Sequence, residues 1–223
     1  METSLHRQLK ELYSEEDAQQ EVALGEYRID VVNPDVLVEI QHGSLAAIRD
    51  KIAKLLKKHQ VLVVKPIVAR KRIIKLRKRN GQEVSKRWSP KRGTPLNLFD
   101  ELVYFTRVFP HQNLVLEVPL VEVEERRYPG HGRRRWRRRN DHLVADLKLV
   151  KLGETWRFRT AADLCQFLPA GLPDVFHTGD LSRQLNIQRW MAARIAYCMR
   201  KTGATIQVGK QGNSKLYKLN RAA

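Results

Sequence analysis

The chain has 223 residues and a formal net charge of +18, from 42 Lys and Arg against 24 Asp and Glu. A positive field of this size attracts polyanions, and it favours nucleic acid over an anionic membrane as the partner. No apolar run approaches the ~20 residues of a membrane-spanning helix, and the N-terminal residues contain no signal-peptide core. We therefore expect a cytoplasmic protein without membrane contacts.

Apolar patterning divides the first part of the chain into short elements. Residues 4–13 predict a helix with leucines on one face. Three β-branched runs between residues 21 and 40 predict strands, and the tight turns between them predict an antiparallel meander. A helical pattern over residues 45–56 then leads to the apolar run 61–64, which is typical of a strand buried on both faces. Because this last connection crosses over a helix, we expect the fourth strand to lie parallel to the third.

Polar residues interrupt these predicted strands. Asp30 lies inside the second strand, and Glu39 and Gln41 lie two residues apart on the third, so that they share one face. Glu21, at the head of the first strand, is a hairpin neighbour of Asp30 and a candidate third carboxylate. Carboxylates among apolar side chains are costly unless a cation lies between them. Mg²⁺ is bound by one or two carboxylates together with water and phosphate oxygens, and it activates water for attack on a phosphodiester.

The run EYRIDVV…LVEIQHGS resembles the PD-(D/E)XK nuclease superfamily, in the restriction-endonuclease-like branch that includes competence-associated and very-short-patch-repair-like members. In that superfamily an Asp precedes Glu-X-Lys on the next strand, and a helix and a strand follow. The run EIQHGSLAAIRDK is also similar to that of an uncharacterised bacterial family. The resemblance covers roughly residues 10–66. It implies that Asp30 and Glu39 hold Mg²⁺ or Mn²⁺, with Glu21 as a further ligand, and that Gln41 positions the water or the phosphate.

Two features leave alternatives open. Gln41 stands where most of the superfamily has Lys, so that Lys65 or Arg49 would have to supply the missing cation. Acidic residues at strand ends also commonly pair with basic side chains in a purely structural role, and Arg28 or Arg49 are candidates for such pairs. The order of helix and strands favours the nuclease-type site.

Two basic insertions follow, at residues 66–93 and 126–139. In the first, Asn80-Gly81 between two cationic arms is a strong hairpin signal, and Trp88 is available to stack. In the second, eight of fourteen residues are Arg. Arg pairs with phosphate and aromatic rings stack on bases, although a basic ribbon also protects a sheet edge from aggregation. The predicted nucleic-acid contacts are Lys71, Arg72, Lys78, Arg79, Arg133, Arg134, Arg135, Trp136, Arg137, Arg138 and Arg139.

The chain becomes helical after the strand patterns at 113–124 and 142–158, of which the second predicts two short strands around Gly153. Helices at 161–168, 180–186 and 188–203 precede a hairpin at 205–219, an order that resembles a winged helix-turn-helix. In that fold the third helix enters the major groove and the wing contacts the backbone. Winged helices also bind proteins, but the positive charge favours DNA. The helix candidates are Arg189 and Arg194, and the wing candidates are Lys210 and Lys215.

We therefore predict an α/β (α+β) protein with a small mixed sheet flanked by helices. Residues 1–155 form a restriction-endonuclease-like domain with basic insertions, and residues 156–223 form a winged-helix domain. The predicted function is a metal-dependent endonuclease that hydrolyses phosphodiester bonds in DNA. The alternatives are a catalytically inactive nuclease-like regulator or architectural protein, and an RNA-binding or RNA-processing protein. DNA is favoured over RNA as partner, and the sequence is compatible with a homo-oligomer.

Overall fold

The computed structural model describes residues 2–130 and 141–220, and its first part confirms the predicted order of elements. Three antiparallel strands follow a helix, a second helix crosses over, and the fourth strand lies parallel to the third. These elements are α1 (Ser4–Tyr13), β1 (Gln19–Leu24), β2 (Tyr27–Val32), β3 (Leu37–Ile40), α2 (Arg49–Leu55) and β4 (Val61–Val64).

A second set of strands extends the sheet beyond β4. It consists of β5 (Ile67–Leu76), β6 (Glu83–Trp88), β7 (Leu114–Pro129) and β8 (His142–Phe158), with the short helix α3 (Leu98–Leu102) before β7. One edge of β7 pairs in parallel first with β4 and then with β5, so β4 and β5 act as one strand interrupted at Lys65-Pro66. β8 covers the other edge of β7, and the predicted hairpin of β5 and β6 around Asn80-Gly81 is confirmed.

Strand β8 corrects one prediction, because it runs without interruption where two short strands around Gly153 were expected. The register between β7 and β8 shifts between Pro119 and Val121. At this bulge a Cβ on Gly153 would come within 3.0 Å of the Leu120 carbonyl oxygen. Gly153 therefore lets the backbones of β7 and β8 approach each other closely, and β8 continues through this residue.

The C-terminal elements are β9 (Val175–Phe176), α4 (Thr178–Gln184), α5 (Arg189–Thr202), β10 (Thr205–Gln211) and β11 (Ser214–Leu219). The three strands form a separate sheet in the order β10-β11-β9. The predicted second and third helices and the final hairpin are confirmed. The predicted first helix is a 3-10 segment, Ala162–Phe167, and the two-residue strand β9 has no sequence signal.

Two apolar clusters lie on opposite faces of the large sheet, since alternate residues of β4 enter each of them. Leu5 and Leu9 of α1 belong to one cluster. Residues of α2, α3 and α5 share the other cluster, which also contains Phe158 at the end of β8. The predicted domain boundary at 155/156 therefore lies inside β8 and beside a shared core, and the division into two domains stays a prediction.

Helix length is limited throughout the described chain. The longest helix among residues 2–130 and 141–220, α5, has 14 residues. None of the helices in these ranges combines the length and apolar character that crossing a bilayer requires.

Candidate functional site

Asp30 lies where the pairing between β2 and β3 ends. The last paired residues are Val31 and Val38. Beyond them, Asp30 Oδ2 accepts a hydrogen bond from the Ile40 amide at 2.7 Å, and Oδ1 lies 3.2 Å from Nε2 of His6 on α1. Burial acts to raise the pKa of Asp30, but the hydrogen bonds with His6 and the Ile40 amide outweigh it and lower the pKa. The carboxylate is therefore held ionised between a strand and a helix.

Glu39 is buried beside the same gap between the strands. The residue is 4% exposed, and its Oε1 contacts the ammonium of Lys51 on α2. No donor within the described ranges reaches Oε1 with hydrogen-bonding geometry. Burial raises the pKa of Glu39 to about 7, with Lys51 opposing the shift and the charge of Asp30 adding to it. A buried carboxyl that titrates near neutral pH is typical of functional sites.

Lys51 is the cation that the sequence analysis did not identify. Its helical position predicts a solvent-facing side chain, yet the side chain is only 16% exposed and contacts Glu39. Its ammonium also donates to the carbonyl of Arg28 at 2.5 Å. Arg49, the alternative considered from sequence, pairs instead with Asp50. The position of Lys51 directly before buried Ile52, at the margin of the apolar face, is the signal that could have revealed it.

Gln41 begins the loop that leads from β3 towards α2. Its side-chain amide donates to the Ser44 carbonyl at 2.8 Å. Lys65 holds the same loop from the end of β4, where its ammonium donates to the carbonyls of His42, at 3.0 Å, and Gly43. Burial lowers the pKa of Lys65. Lys65 therefore fixes the loop and does not act as a counter-charge for Glu39.

An open cleft of about 500 Å³ lies between this loop and α1, and Gln41 lines it. Glu21 lines the cleft as well. Glu21, Glu2 and His6 have possible metal-ligand atoms within 4.8 Å of one another. Among residues 2–130 and 141–220 this is the one such group of three Asp, Glu, His or Cys side chains. The ammonium of Lys10, a residue only 2% exposed, contacts both Glu2 and Glu21. A buried lysine therefore already neutralises these two carboxylates.

The structure brings Asp30, Glu39 and Gln41 to one end of the sheet, where β2 and β3 separate. It also gives each carboxylate its own basic neighbour, His6 for Asp30, which is charged when protonated, and Lys51 for Glu39. These neighbours belong to α1 and α2, which pack on opposite faces of the sheet. The two acidic residues are thus adjacent along the strands and separately neutralised.

Sequence comparison assigns the chain to a family. The profile of "Domain of unknown function (DUF8091)" matches residues 3–159. The chain belongs to the DUF8091 family. An uncharacterized protein of Treponema pallidum (strain Nichols) is 32% identical over 224 residues, which span 97% of this chain and 85% of that protein. No solved structure matches the chain significantly. The DUF8091 match contains every element from α1 to β8, and thus the acidic site and the basic hairpin.

The cations of the basic hairpin in this DUF8091 region fall into two sets. On β5, Lys71 pairs with Glu125 at 2.6 Å and Arg72 pairs with Glu124 at 2.8 Å. These two predicted nucleic-acid contacts therefore have partners on β7. Lys78 and Arg79 lie exposed in the turn of the hairpin. Within the described part of the chain, the hairpin and the segment after it carry exposed cations that no carboxylate pairs with, namely Lys75, Arg77, Lys78, Lys86, Arg87, Lys91 and Arg92.

The C-terminal candidates lie beyond the DUF8091 match. Arg189, Lys210 and Lys215 are exposed, and the two lysines face each other across β10 and β11. Arg194 contacts Asp100 on α3 and lies 5.1 Å from the ring centroid of Trp190. Its charge is therefore directed at the body of the protein, in contrast to the outward position predicted for it. The arginine-rich arm with Arg133, Arg134, Arg135, Trp136, Arg137, Arg138 and Arg139 lies outside the described residues.

Proposed function

We propose that the chain is a metal-dependent endonuclease that hydrolyses phosphodiester bonds, with DNA favoured over RNA as the substrate. The observation that carries the proposal is Glu39, a buried carboxyl on β3 with a pKa near 7, placed beside the ionised Asp30 of β2. The order α1-β1-β2-β3-α2-β4 around these residues is the order that the PD-(D/E)XK resemblance implies. We propose the helices and hairpin between Thr178 and Leu219 as a winged-helix module that docks on DNA.

The donor atoms of the candidate site suit Mg²⁺ or Mn²⁺. Such hard cations prefer carboxylate oxygens, and Oε1 of Glu39 is a buried oxygen that contacts the Lys51 ammonium without hydrogen-bond geometry. We assign Asp30 and Glu39 as the ligands. Glu21 groups with Glu2 and His6 on the α1 side of the cleft, so it would have to move towards Asp30 and Glu39 to serve as a third ligand. When bound, the metal would lower the pKa of a water molecule and neutralise the charge that develops on the phosphate.

Three further side chains support this chemistry. Gln41 lines the cleft, and in this proposal its amide orients the phosphate or the attacking water. Lys51 offsets the charge of Glu39 and ties α2 to the strand that carries it. His6 lines the same cleft and favours the ionised form of Asp30. Lys51 and His6 thus hold the two carboxylates, and Gln41 acts on the phosphate or the water.

A cleavage assay tests the proposal. Supercoiled plasmid, single-stranded DNA and RNA would be incubated with the full chain in Mg²⁺, in Mn²⁺ or in EDTA. We expect cutting only with metal, and a loss of about 100-fold in Asp30→Asn and Glu39→Gln, since removing one metal ligand or its support costs 10–100-fold or more. Glu26→Gln is the matched control, because Glu26 is an exposed carboxylate paired with Lys54 on the surface. Metal-dependent cutting that survives in both site variants would overturn the assignment.

A second function, nucleic-acid binding without cleavage, is favoured by a different observation. Each proposed ligand already contacts a basic side chain of the protein, His6 for Asp30, Lys51 for Glu39 and Lys10 for Glu21. Such pairing satisfies the carboxylates without a metal. This function predicts that the wild-type chain and both site variants bind DNA equally and that none of them cuts it.

A further inference from the structure

The basic hairpin carries an exposed indole ring on its outer strand. Trp88 is 42% exposed and lies opposite Arg72 in the register between β5 and β6. The guanidinium carbons of Arg70 and Arg72 lie 4.4 Å and 5.8 Å from the ring centroid. Arg70 Nε is buried without a hydrogen-bond partner among the described residues, so stacking on the indole is a main contact of this guanidinium. The two arginines therefore hold the ring in a fixed position from the β5 side.

The charges around Trp88 differ between the two strands of the hairpin. The β5 cations nearest the ring, Arg70, Lys71 and Arg72, already pair with glutamates of β7. In contrast, every residue of β6 is exposed, and Lys86 and Arg87 have no carboxylate partner among residues 2–130 and 141–220. Like charges along one exposed ribbon repel each other, and phosphate groups relieve that repulsion. The available surface is thus Trp88 with Lys86 two residues away on the same face of β6, and Arg87 on the other face.

We infer that this surface binds a single-stranded segment of polynucleotide, with Trp88 stacking on an unpaired base. Bases inside a duplex are stacked on one another, so an indole on a flat ribbon reaches only a base that lies outside a double helix. Cations beside an aromatic platform are the usual composition of single-strand binding surfaces. A role for this surface in catalysis rests on the proposed function, since the surface would select nuclease substrates that have a single-stranded region. Binding itself requires no metal.

The hairpin also leads towards the candidate site. The backbone amide of Ser89, the residue after Trp88, donates a hydrogen bond to the carbonyl of Lys71 at 2.8 Å. His42, in the loop that lines the cleft, has its pKa lowered by burial and then by the charges of Lys65 and Lys71. Lys71 therefore lies within electrostatic reach of the loop that lines the cleft.

Binding in EDTA tests this inference. Fluorescence anisotropy would measure the affinity of the chain for labelled single-stranded DNA, single-stranded RNA and duplex DNA of equal length. The comparison also shows whether the surface prefers single-stranded DNA or single-stranded RNA. We expect Trp88→Ala to weaken binding to single strands about ten-fold, as loss of one stacked base does, and to leave duplex binding unchanged. Trp88→Phe should recover most of the affinity, because it retains an aromatic face. Val84→Ala, at a 65% exposed position on the same strand, is the control for a general effect on β6.

The outcomes separate this inference from the nuclease proposal. Unchanged single-strand affinity in Trp88→Ala, or an equal loss on duplex, would overturn the stacking surface whatever the cleavage result. A selective loss in Trp88→Ala together with no metal-dependent cutting would support the surface and reject the nuclease. Thermal melting of each variant establishes that the fold is intact, which we expect because Trp88 is exposed.

Discussion

The ammonium of Lys51 on α2 contacts the carboxyl of Glu39 on β3 and donates to the carbonyl of Arg28 on β2. One cation thus connects the crossover helix to the two strands that carry Asp30 and Glu39. Glu39 is nearly fully buried and lies close enough to Asp30 for the two charges to interact. Lys51 therefore supplies the positive charge that permits two carboxylates to coexist at this end of the sheet.

Replacing Lys51 by Met should destabilise the protein by about 2 kcal/mol. Breaking a buried ion pair leaves an uncompensated charge and costs about 3–5 kcal/mol, and the partial exposure of Lys51 reduces that cost. Urea denaturation at pH 7.5 measures the change. Lys54→Met, at an exposed position three residues further along α2, should leave the free energy of unfolding unchanged, because its ion pair with Glu26 lies in solvent.

A double substitution separates the pair from other effects of Lys51. In Lys51→Met combined with Glu39→Gln no charge remains buried without a partner, so the double variant should be more stable than Lys51→Met alone. If the stability loss in the double variant equals the sum of the losses in the two single variants, the Lys51–Glu39 contact carries no coupling energy. That result would contradict this account of the site.

Glu39 should also make stability depend on pH. Its pKa in the folded protein, about 7, lies above the ~4.3 of an unfolded glutamate. Between these values the folded chain holds a proton that the unfolded chain has lost, so stability falls as the pH rises from about 4 to 7. Glu39→Gln lacks this titration. Between pH 5 and pH 8 the free energy of unfolding of the wild type should therefore fall relative to that of Glu39→Gln, by on the order of 2 kcal/mol. Parallel pH profiles of the two proteins would refute the assignment of this titration to Glu39.

The contact between His6 and Asp30 predicts a second titration. The hydrogen bond with Asp30 raises the pKa of His6 and outweighs the opposing effect of burial. The contact therefore stabilises the fold fully below pH ~6.5, and its contribution is lost as the pH rises through the folded pKa of His6. In Asp30→Asn the NMR titration midpoint of the His6 imidazole should fall, because the hydrogen bond that raises its pKa is weakened. Asp35→Asn, which removes an exposed carboxylate at the end of the same hairpin, should leave the midpoint in place; an equal shift in both variants would point to general electrostatics.

The backbone of the first part of the chain could be predicted because its strands are short and strongly patterned. All four residues of Val61–Val64 are buried, as their continuous apolar character indicates. The acidic residues could be located for the same reason, since Asp30 and Glu39 interrupt such runs. The basic side chains that contact these two acidic residues could not be predicted. His6 and Lys51 reach these residues from helices on opposite faces, and which polar side chain of a helix meets a strand depends on how the helix packs, which periodicity does not specify.

The basic segments show a different limit of sequence reasoning. Positive charge identified the hairpin as a polyanion surface, but charge alone does not distinguish Lys71 and Arg72, which pair with glutamates of β7, from the unpaired cations of β6. That distinction depends on which strands become neighbours. The pairing of β5 with β7 joins residues separated by about fifty positions and appears only in the folded sheet.

The arginine-rich arm gives the last prediction, which concerns salt dependence. Six arginines lie between Arg133 and Arg139, and each phosphate that an arginine neutralises adds about 0.9 to the slope of log affinity against log salt on duplex DNA. Replacing these six residues by Ser should reduce the slope by up to about 5 and weaken binding to all sequences alike, because phosphate contacts carry no base specificity. Anisotropy titrations between 50 and 300 mM KCl, salt concentrations of about the range in which such slopes are measured, provide the test. Ser replacement of Lys75, Arg77 and Lys78 on the hairpin is the comparison, since it removes fewer charges and should lower the slope less. An unchanged slope after removal of the arm would assign the polyanion surface to the hairpin and the C-terminal helices alone.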